Sequence, residues 1–256
     1  MAEVTFDFTG KNYMVVGATS GLGEQVHHDL VDAHANVLAV GRNETKLQAL
    51  REQWPTTETC RADVTKTTTE DWKNMIASFV AAHGKLDGAV YTAGLSVASS
   101  LSYYDEEEAK TNMETNLWAA VRCLQVVSKK RYSNDGASTV WLSSIAGHTG
   151  GRGMFAYSAA KAAVRVAAYS LAHDLAKRGQ RLNTLSPAWV TTPMTTHSLL
   201  AQNEEKMTEM RDHYLLGIGV PQDVSSMALF LLSDRARWIT GTDFILDGGL
   251  MRGAWR

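Results

Sequence analysis

The sequence is sparing with the residues that mark several protein classes. It has two cysteines, Cys60 and Cys123, far apart and in no zinc-ligand or redox spacing. Both are expected to be reduced, buried thiols, and no metal site is expected. The four prolines all lie outside the predicted helices and strands. No apolar run approaches the ~18 residues of a membrane span. The start, Met1 to Asp7, lacks the basic and then apolar regions of a signal peptide. Charge of one sign is also lacking: the formal net charge is −2, with both signs interspersed. That excludes a nucleic-acid or membrane-surface partner on electrostatic grounds. No repeat, low-complexity tract or linker-like boundary divides the chain. A soluble, cytoplasmic protein is the expectation.

What the sequence does contain is an alternation. Short β-branched runs occur at Tyr13–Val16, Val37–Val40, Ala89–Tyr91, Thr139–Leu142, Leu182–Leu185 and Phe244–Leu246, with a weaker candidate at Thr57–Arg61. Helical patterns fall between them, at Gly21–His34, Glu44–Trp54, Thr69–His83, Glu106–Lys130, Phe155–Arg178 and Gln222–Leu232. Such alternation predicts βαβ units and a parallel sheet. The expected fold is α/β, a single doubly wound, Rossmann-type parallel sheet with helices on both faces, formed by residues 1–256 as one domain. The stretch 193–216 departs from the rhythm and carries His197, Met207, Met210, His213 and Tyr214. Long connections in compact domains are commonly functional, and a substrate lid is expected there.

The first β-run leads straight into Gly17-Ala18-Thr19-Ser20-Gly21-Leu22-Gly23, and a helix follows at once. Glycines let the backbone turn sharply and approach a pyrophosphate, and the helix start offers free N–H groups and a positive dipole end. The spacing is G-x-x-x-G-x-G, not G-x-G-x-x-G. An NAD site expects a carboxylate about 20 residues further on. Gly41 stands there instead, followed by Arg42 and Asn43. A guanidinium pairs with a 2′-phosphate that a carboxylate would repel. NADP(H) is therefore expected, with NAD(H) left open.

Tyr157 and Lys161 are four residues apart, on one face of a predicted helix, and Ser144 lies thirteen residues upstream of Tyr157. An ammonium beside a phenol favours the phenolate. At ~4 Å and an effective dielectric of ~20 the pair is worth ~4 kcal/mol, which predicts a fall of two to three units, roughly, in the phenol pKa before desolvation opposes it. Ser144, at a predicted strand end, is placed to hydrogen-bond a substrate oxygen. Together these groups form a proton-handling set beside a dinucleotide cradle.

The chain resembles the compact short-chain dehydrogenases/reductases from about residue 10 to 250. The resemblance rests on the glycine turn, Asp63-Val64, Ala93-Gly94, Asn116, Ser143-Ser144, Tyr157 with Lys161, Asn183 to Pro187, Val190 to Thr192, and Asp247-Gly248-Gly249. It implies that Tyr157 is the general acid/base, that Lys161 binds the nicotinamide ribose and tunes Tyr157, and that Ser144 orients the carbonyl or hydroxyl. Asn116 would hold a water in a proton relay. Asp63 would bind the adenine with Val64 beside it, and Ala93 and Gly94 would line the cofactor cleft. Val190 and Thr192, after the turn at Pro187, would contact the carboxamide. The sequence departs from the family pattern at Val16, at Tyr91-Thr92-Ala93-Gly94 (Asn-Asn-Ala-Gly in the family) and at Pro187-Ala188. His148, Met154 and Trp189 are expected on the substrate side. The resemblance also implies a homotetramer (or dimer). The implied reaction interconverts a ketone and a secondary alcohol, with carbonyl reduction favoured. A 3-oxoacyl-thioester reductase and a non-catalytic dinucleotide sensor or scaffold are the alternatives. Lys129-Lys130-Arg131, with Arg178, offers a less expected landing site for an acyl carrier protein.

Overall fold

In the computed structural model, which describes residues 4–196 and 202–253, seven parallel strands form one sheet. They are β1 (Asn12–Val16), β2 (Asn36–Gly41), β3 (Thr57–Arg61), β4 (Leu86–Tyr91), β5 (Ser133–Leu142), β6 (Arg181–Pro187) and β7 (Asp243–Leu246), in the spatial order 3-2-1-4-5-6-7. The strand order reverses between β1 and β4, and ligands bind α/β sheets in the crevice at such a switch point.

Both sheet faces are covered, which is why the strands read as nearly continuous apolar runs. In β1, Met14 and Val16 enter a core shared with Trp72, Ile76, Phe79, Leu124 and Val164. Their neighbours Tyr13 and Val15 enter the opposite core with Val26, Leu30, Val224 and Leu231. The first layer is supplied by α3 (Thr69–His83), α5 (Ala119–Val127) and α7 (Phe155–Leu175), and the second by α1 (Gly21–Asp32) and α10 (Pro221–Leu232). Between β2 and β3 lies α2 (Glu44–Gln53).

The expected elements are present, with informative differences. The weak candidate at Thr57–Arg61 is a full strand with those bounds. The single helix expected over 106–130 is α4 (Glu106–Met113), a five-residue π-helical segment (Glu114–Trp118) and α5. Composition does not reveal an extra residue in a turn, and such segments often sit at functional sites. β5 begins at Ser133, well before the apolar run, because polar Asn134-Asp135-Gly136 belong to the strand's exposed start. Three prolines fall within elements: Pro187 ends β6, while Pro221 and Pro193 open α10 and the short α8 (Pro193–Thr196). At a first helical position the missing N–H costs nothing. Cys60 is only half-buried, whereas Cys123 is buried; both are free thiols.

The expected lid is described except for 197–201, so His197 lies outside the described residues. It comprises α8 and α9 (Glu204–Asp212), and buried Met207 and Tyr214 anchor it. No described helix is long and apolar enough to cross a membrane, and no described cluster of His, Cys, Asp and Glu could hold a metal ion.

Candidate active site

Backbone geometry dictates the glycine turn. Gly17 and Gly21 adopt φ +94° and +58°, which side-chain-bearing residues rarely occupy. A Cβ on Gly23 would lie 2.3 Å from the Gly17 carbonyl oxygen, and one on Gly17 would lie 2.5 Å from Thr92 Oγ1. The close packing of α1 under the turn thus requires glycine. Ser20, at the N-cap of α1, makes no side-chain capping bond, so no side chain caps the first-turn N–H groups of α1. Thr19 and Leu22 flank them. Those uncapped donors fit the pyrophosphate of a dinucleotide.

Thr92, where the resemblance expects asparagine, closes the turn from the other side. Its backbone N–H (2.8 Å) and hydroxyl (2.8 Å), with the Ala93 N–H (3.1 Å), all donate to the Val16 carbonyl. The substitution therefore keeps the tie between the ends of β1 and β4. Across the crevice, Thr192 Cβ lies 3.4 Å from the position of a Cβ on Gly21, so residues 171 positions apart flank one cleft. Val190 bridges to Gly219, and the Pro187 carbonyl accepts from the Ile145 N–H at 3.0 Å.

At the far end of the cleft, a Cβ on Gly41 would lie 2.6 Å from Thr19 Cγ2, so a carboxylate cannot stand there unless Thr19 moves. Arg42 is exposed and makes no hydrogen bond or ion pair among the described residues. Asn43 instead caps α2, accepting from the Lys46 N–H at 3.0 Å. Lys46 itself was not foreseen. Its Nζ donates to the Thr19 carbonyl at 2.9 Å, which puts a second cation beside the turn. That reach depends on how α2 lies against the turn, which no motif encodes. Asp63 accepts from the Thr65 hydroxyl (2.7 Å) and N–H (3.1 Å). Mainly through the Thr65 hydroxyl, and aided by the Thr65 N–H and the charges of Lys66 and Arg42, its carboxyl is held below the ordinary value against an opposing burial effect. Val64 is buried behind it.

The proton-handling groups converge at the ends of β4 and β5. Lys161 is buried on α7, and its Nζ donates to the Leu142 carbonyl at 2.7 Å and lies 5.7 Å from the Tyr157 ring centre. The Ser143 hydroxyl donates to the Lys161 carbonyl at 2.8 Å. Ser144 Oγ accepts from the Ala146 N–H at 3.2 Å, and the Ser144 side chain lies near enough to the Tyr157 phenol to act on its pKa.

The π-helical segment turns Asn116 inward. Its Nδ2 donates to the Leu95 carbonyl (2.9 Å), the Asn112 carbonyl (2.9 Å) and Asn112 Oδ1 (2.8 Å). Asn116 Oδ1 is buried with no protein partner. A Cβ on Gly94 would lie 2.9 Å from it and 3.4 Å from Lys161 Nζ. These two polar atoms therefore meet over a glycine, and the free acceptor fits a relay water.

The electrostatics correct the expected phenol shift. Burial pushes the Tyr157 phenol up, and the Ser144 hydrogen bond only opposes this. Burial likewise drives Lys161 down to about 7. In the ligand-free cleft the lysine is itself close to neutrality, so it lacks the full charge needed to depress the phenol.

Of the three residues expected on the substrate side, His148 is turned away. Its Nε2 lies 2.7 Å from the Asp243 carboxylate and 3.3 Å from Ser186 Oγ. Trp189 is half-buried, and its N–H donates to the Tyr214 hydroxyl at 3.1 Å, which ties the excursion to the end of β6. Met154, also half-buried, stands at the N-cap of α7. The connection from β4 to α4, unassigned from sequence, joins this region: the Ser99 N–H donates to the Gly153 carbonyl at 2.7 Å, and the Tyr104 and Phe155 rings are 5.6 Å apart. Lys129, Lys130 and Arg131 precede β5 and so lie at the opposite end of that strand from Ser144. Arg178 is engaged with Asp135 and with the Ser128 and Ser133 carbonyls.

Comparison with known proteins agrees with this geometry. A family model described as enoyl-(acyl carrier protein) reductase matches residues 17–251. The chain is 30% identical over 251 residues to a 3-oxoacyl-(acyl-carrier-protein) reductase of Rickettsia conorii, covering 96% of this chain and 98% of that protein. It is 28% identical over 244 residues to an NADP-dependent (R)-specific alcohol dehydrogenase of Lentilactobacillus kefiri, covering 94% of this chain and 96% of that protein. A solved short-chain type dehydrogenase/reductase from Mycobacterium ulcerans superposes with a TM-score of 0.88 at 28% identity, covering 96% of this chain and 91% of that one.

Proposed function

The chain belongs to the short-chain dehydrogenase/reductase family, an NAD(P)-dependent oxidoreductase acting on CH–OH and C=O groups, and on that premise we propose that it is a cytoplasmic, NADPH-dependent reductase of ketones to secondary alcohols. The observation that carries this reading is the meeting of Asn116, Ser144, Tyr157 and Lys161 beside the uncapped start of α1. Arg42 and the closed position at Gly41 support NADP(H) over NAD(H).

A bound nicotinamide would supply the hydride for the carbonyl carbon, while the protein orients and tunes. Gly17 to Gly23 would hold the pyrophosphate, Arg42 with Lys46 would face the adenosine end, and Asp63, Ala93, Gly94, Val190 and Thr192 would line the cofactor. The Tyr157 hydroxyl gives its proton to the substrate oxygen. The Ser144 hydroxyl steadies the same oxygen and stabilises the phenolate that remains. Lys161 compensates that phenolate when charged, and Asn116 Oδ1 supports the path by which the proton is replaced. The 193–216 excursion acts as the lid, and the protein assembles as a homotetramer or dimer, which sedimentation would test.

A second reading, reduction of a 3-oxoacyl thioester, is favoured by the similarity to the Rickettsia conorii reductase. Docking of an acyl carrier protein at Lys129 to Arg131 is not favoured, since that cluster lies before β5, at the opposite end of the strand from Ser144. Titration with NADPH and NADH followed by fluorescence, then turnover on a panel of ketones that includes a 3-oxoacyl thioester, tests both. Tight NADPH binding with ketone turnover supports the proposal. Turnover confined to the thioester selects the second reading, and cofactor binding without turnover leaves a sensor.

A further inference from the structure

α6 (Ala146–Thr149) begins two residues after Ser144 and is wedged between two parts of the fold. On one side Gly147 presses on α7: a Cβ there would lie 2.7 Å from the Ala162 nitrogen and 2.8 Å from the Lys161 carbonyl carbon. On the other side His148 Nε2 meets Asp243 Oδ2 at 2.7 Å, and the Asp243 side chain is only 3% exposed. Thr184 Oγ1 (2.5 Å) and Ser186 Oγ (2.9 and 3.0 Å) donate to the same carboxylate. Asp243 is thus fixed from β6 and β7 before His148 reaches it. Other ties of residues 143–149 are the Ser143 N–H to the Leu185 carbonyl and the Ser143 hydroxyl to the Lys161 carbonyl, both at 2.8 Å, the Ile145 N–H to the Pro187 carbonyl at 3.0 Å, a 3.3 Å contact of His148 Nε2 with Ser186 Oγ and a long 3.4 Å contact from Arg165 to the Gly147 carbonyl.

We infer that His148 and Asp243 form a clamp that holds α6 against α7 and so sets Ser144 relative to Tyr157. His148 is a positioning residue, not a substrate contact. The inference rests on the ketone-reductase reading for its catalytic consequence. The physical basis is that small misplacements of a catalytic group carry large rate penalties. Ser143 anchors the start of the segment bearing Ser144 through its hydroxyl on the Lys161 carbonyl at 2.8 Å, and past Ser144 the strong side-chain anchor among the described residues is His148. Gln can place an N–H where His148 Nε2 lies, whereas Leu keeps the bulk and removes the donor.

Hydrogen exchange of residues 144–150 and steady-state kinetics on His148→Leu and His148→Gln test it. His148→Leu should speed exchange in that segment and lower kcat about tenfold, with ketone KM and NADPH affinity within about twofold of wild type. His148→Gln should restore both readouts. Unchanged exchange in His148→Leu, or faster exchange with unchanged kcat, would overturn the clamp, as would His148→Gln behaving like His148→Leu. A uniform loss of NADPH affinity with kcat would instead indicate a general structural role and also overturn it. Failure of the wild type to turn over any ketone would sink the reductase reading alone, because exchange judges the clamp without substrate.

Discussion

The two ends of the cleft are built differently. At the catalytic end, Asn116 and Lys161 are buried, and each is bonded to backbone carbonyls of a neighbouring element. At the adenosine end, Arg42 is exposed and makes no hydrogen bond or ion pair among the described residues, and Lys46 reaches the turn from the surface. The first set is held by packing and backbone hydrogen bonds, whereas the second presents its charge at the surface. Chemistry demands preorganisation, whereas a choice between two cofactors needs only a difference in charge at one exposed position.

Substitution can break that contrast. The largest effect is expected at the buried end: Tyr157→Phe should lower kcat by roughly 10²–10⁴-fold, the range of general acid–base catalysis, while NADPH titration stays near wild type. Retained turnover would remove Tyr157 from the mechanism.

Lys161 gives a stability test of the same end. Its folded pKa, about 7, lies below the ordinary value of 10.5. Between those values the unfolded chain binds more protons than the folded one, so this group lets stability rise with pH from about 7 to 10.5 and imposes its full penalty below 7. Lys161→Met should therefore raise the Tm of the cofactor-free protein by an amount worth a few kcal/mol at pH 6, reduced by the donor lost to Leu142, and less at pH 10. A pH-independent change in Tm would show that the amine is not held near neutrality.

The exposed end should respond selectively. Arg42→Ala should weaken NADPH binding about 10- to 100-fold, the worth of a charged hydrogen bond, with little change for NADH. Equal losses would refute the assignment. The smallest effect is expected between the two ends: Thr92→Val removes one of three donors to the Val16 carbonyl and should cost about 1 kcal/mol in chemical denaturation. No measurable loss would mean the two backbone donors suffice.

The difference between the ends also explains how much could be read beforehand. The glycine turn, Ser144 and the Tyr157–Lys161 pair were legible because their chemistry constrains local spacing: a turn between strand and helix, and two side chains one helical turn apart. The fold was legible because a sheet covered on both faces writes itself as apolar runs separated by helices. The π-helical segment was not, since its residues also suit an ordinary α-helix. Lys46 and the β4–α4 connection were missed because their roles depend on neighbours distant in sequence. His148 was misplaced for the same reason, being near Ser144 in sequence but facing Asp243, 95 residues away.

By itself, then, the sequence determined the order of strands and helices, which follows from local periodicity, and it offered the glycine turn and the Tyr157–Lys161 pair as candidates through short-range spacing, while Asn116 came only from the family resemblance. Only the tertiary structure decided which way His148 faces, that Thr92 closes the cradle, and that Lys161 lies near neutrality with the Tyr157 phenol raised. Those outcomes depend on burial and on contacts between distant segments, and desolvation acts only once the chain has closed around a group.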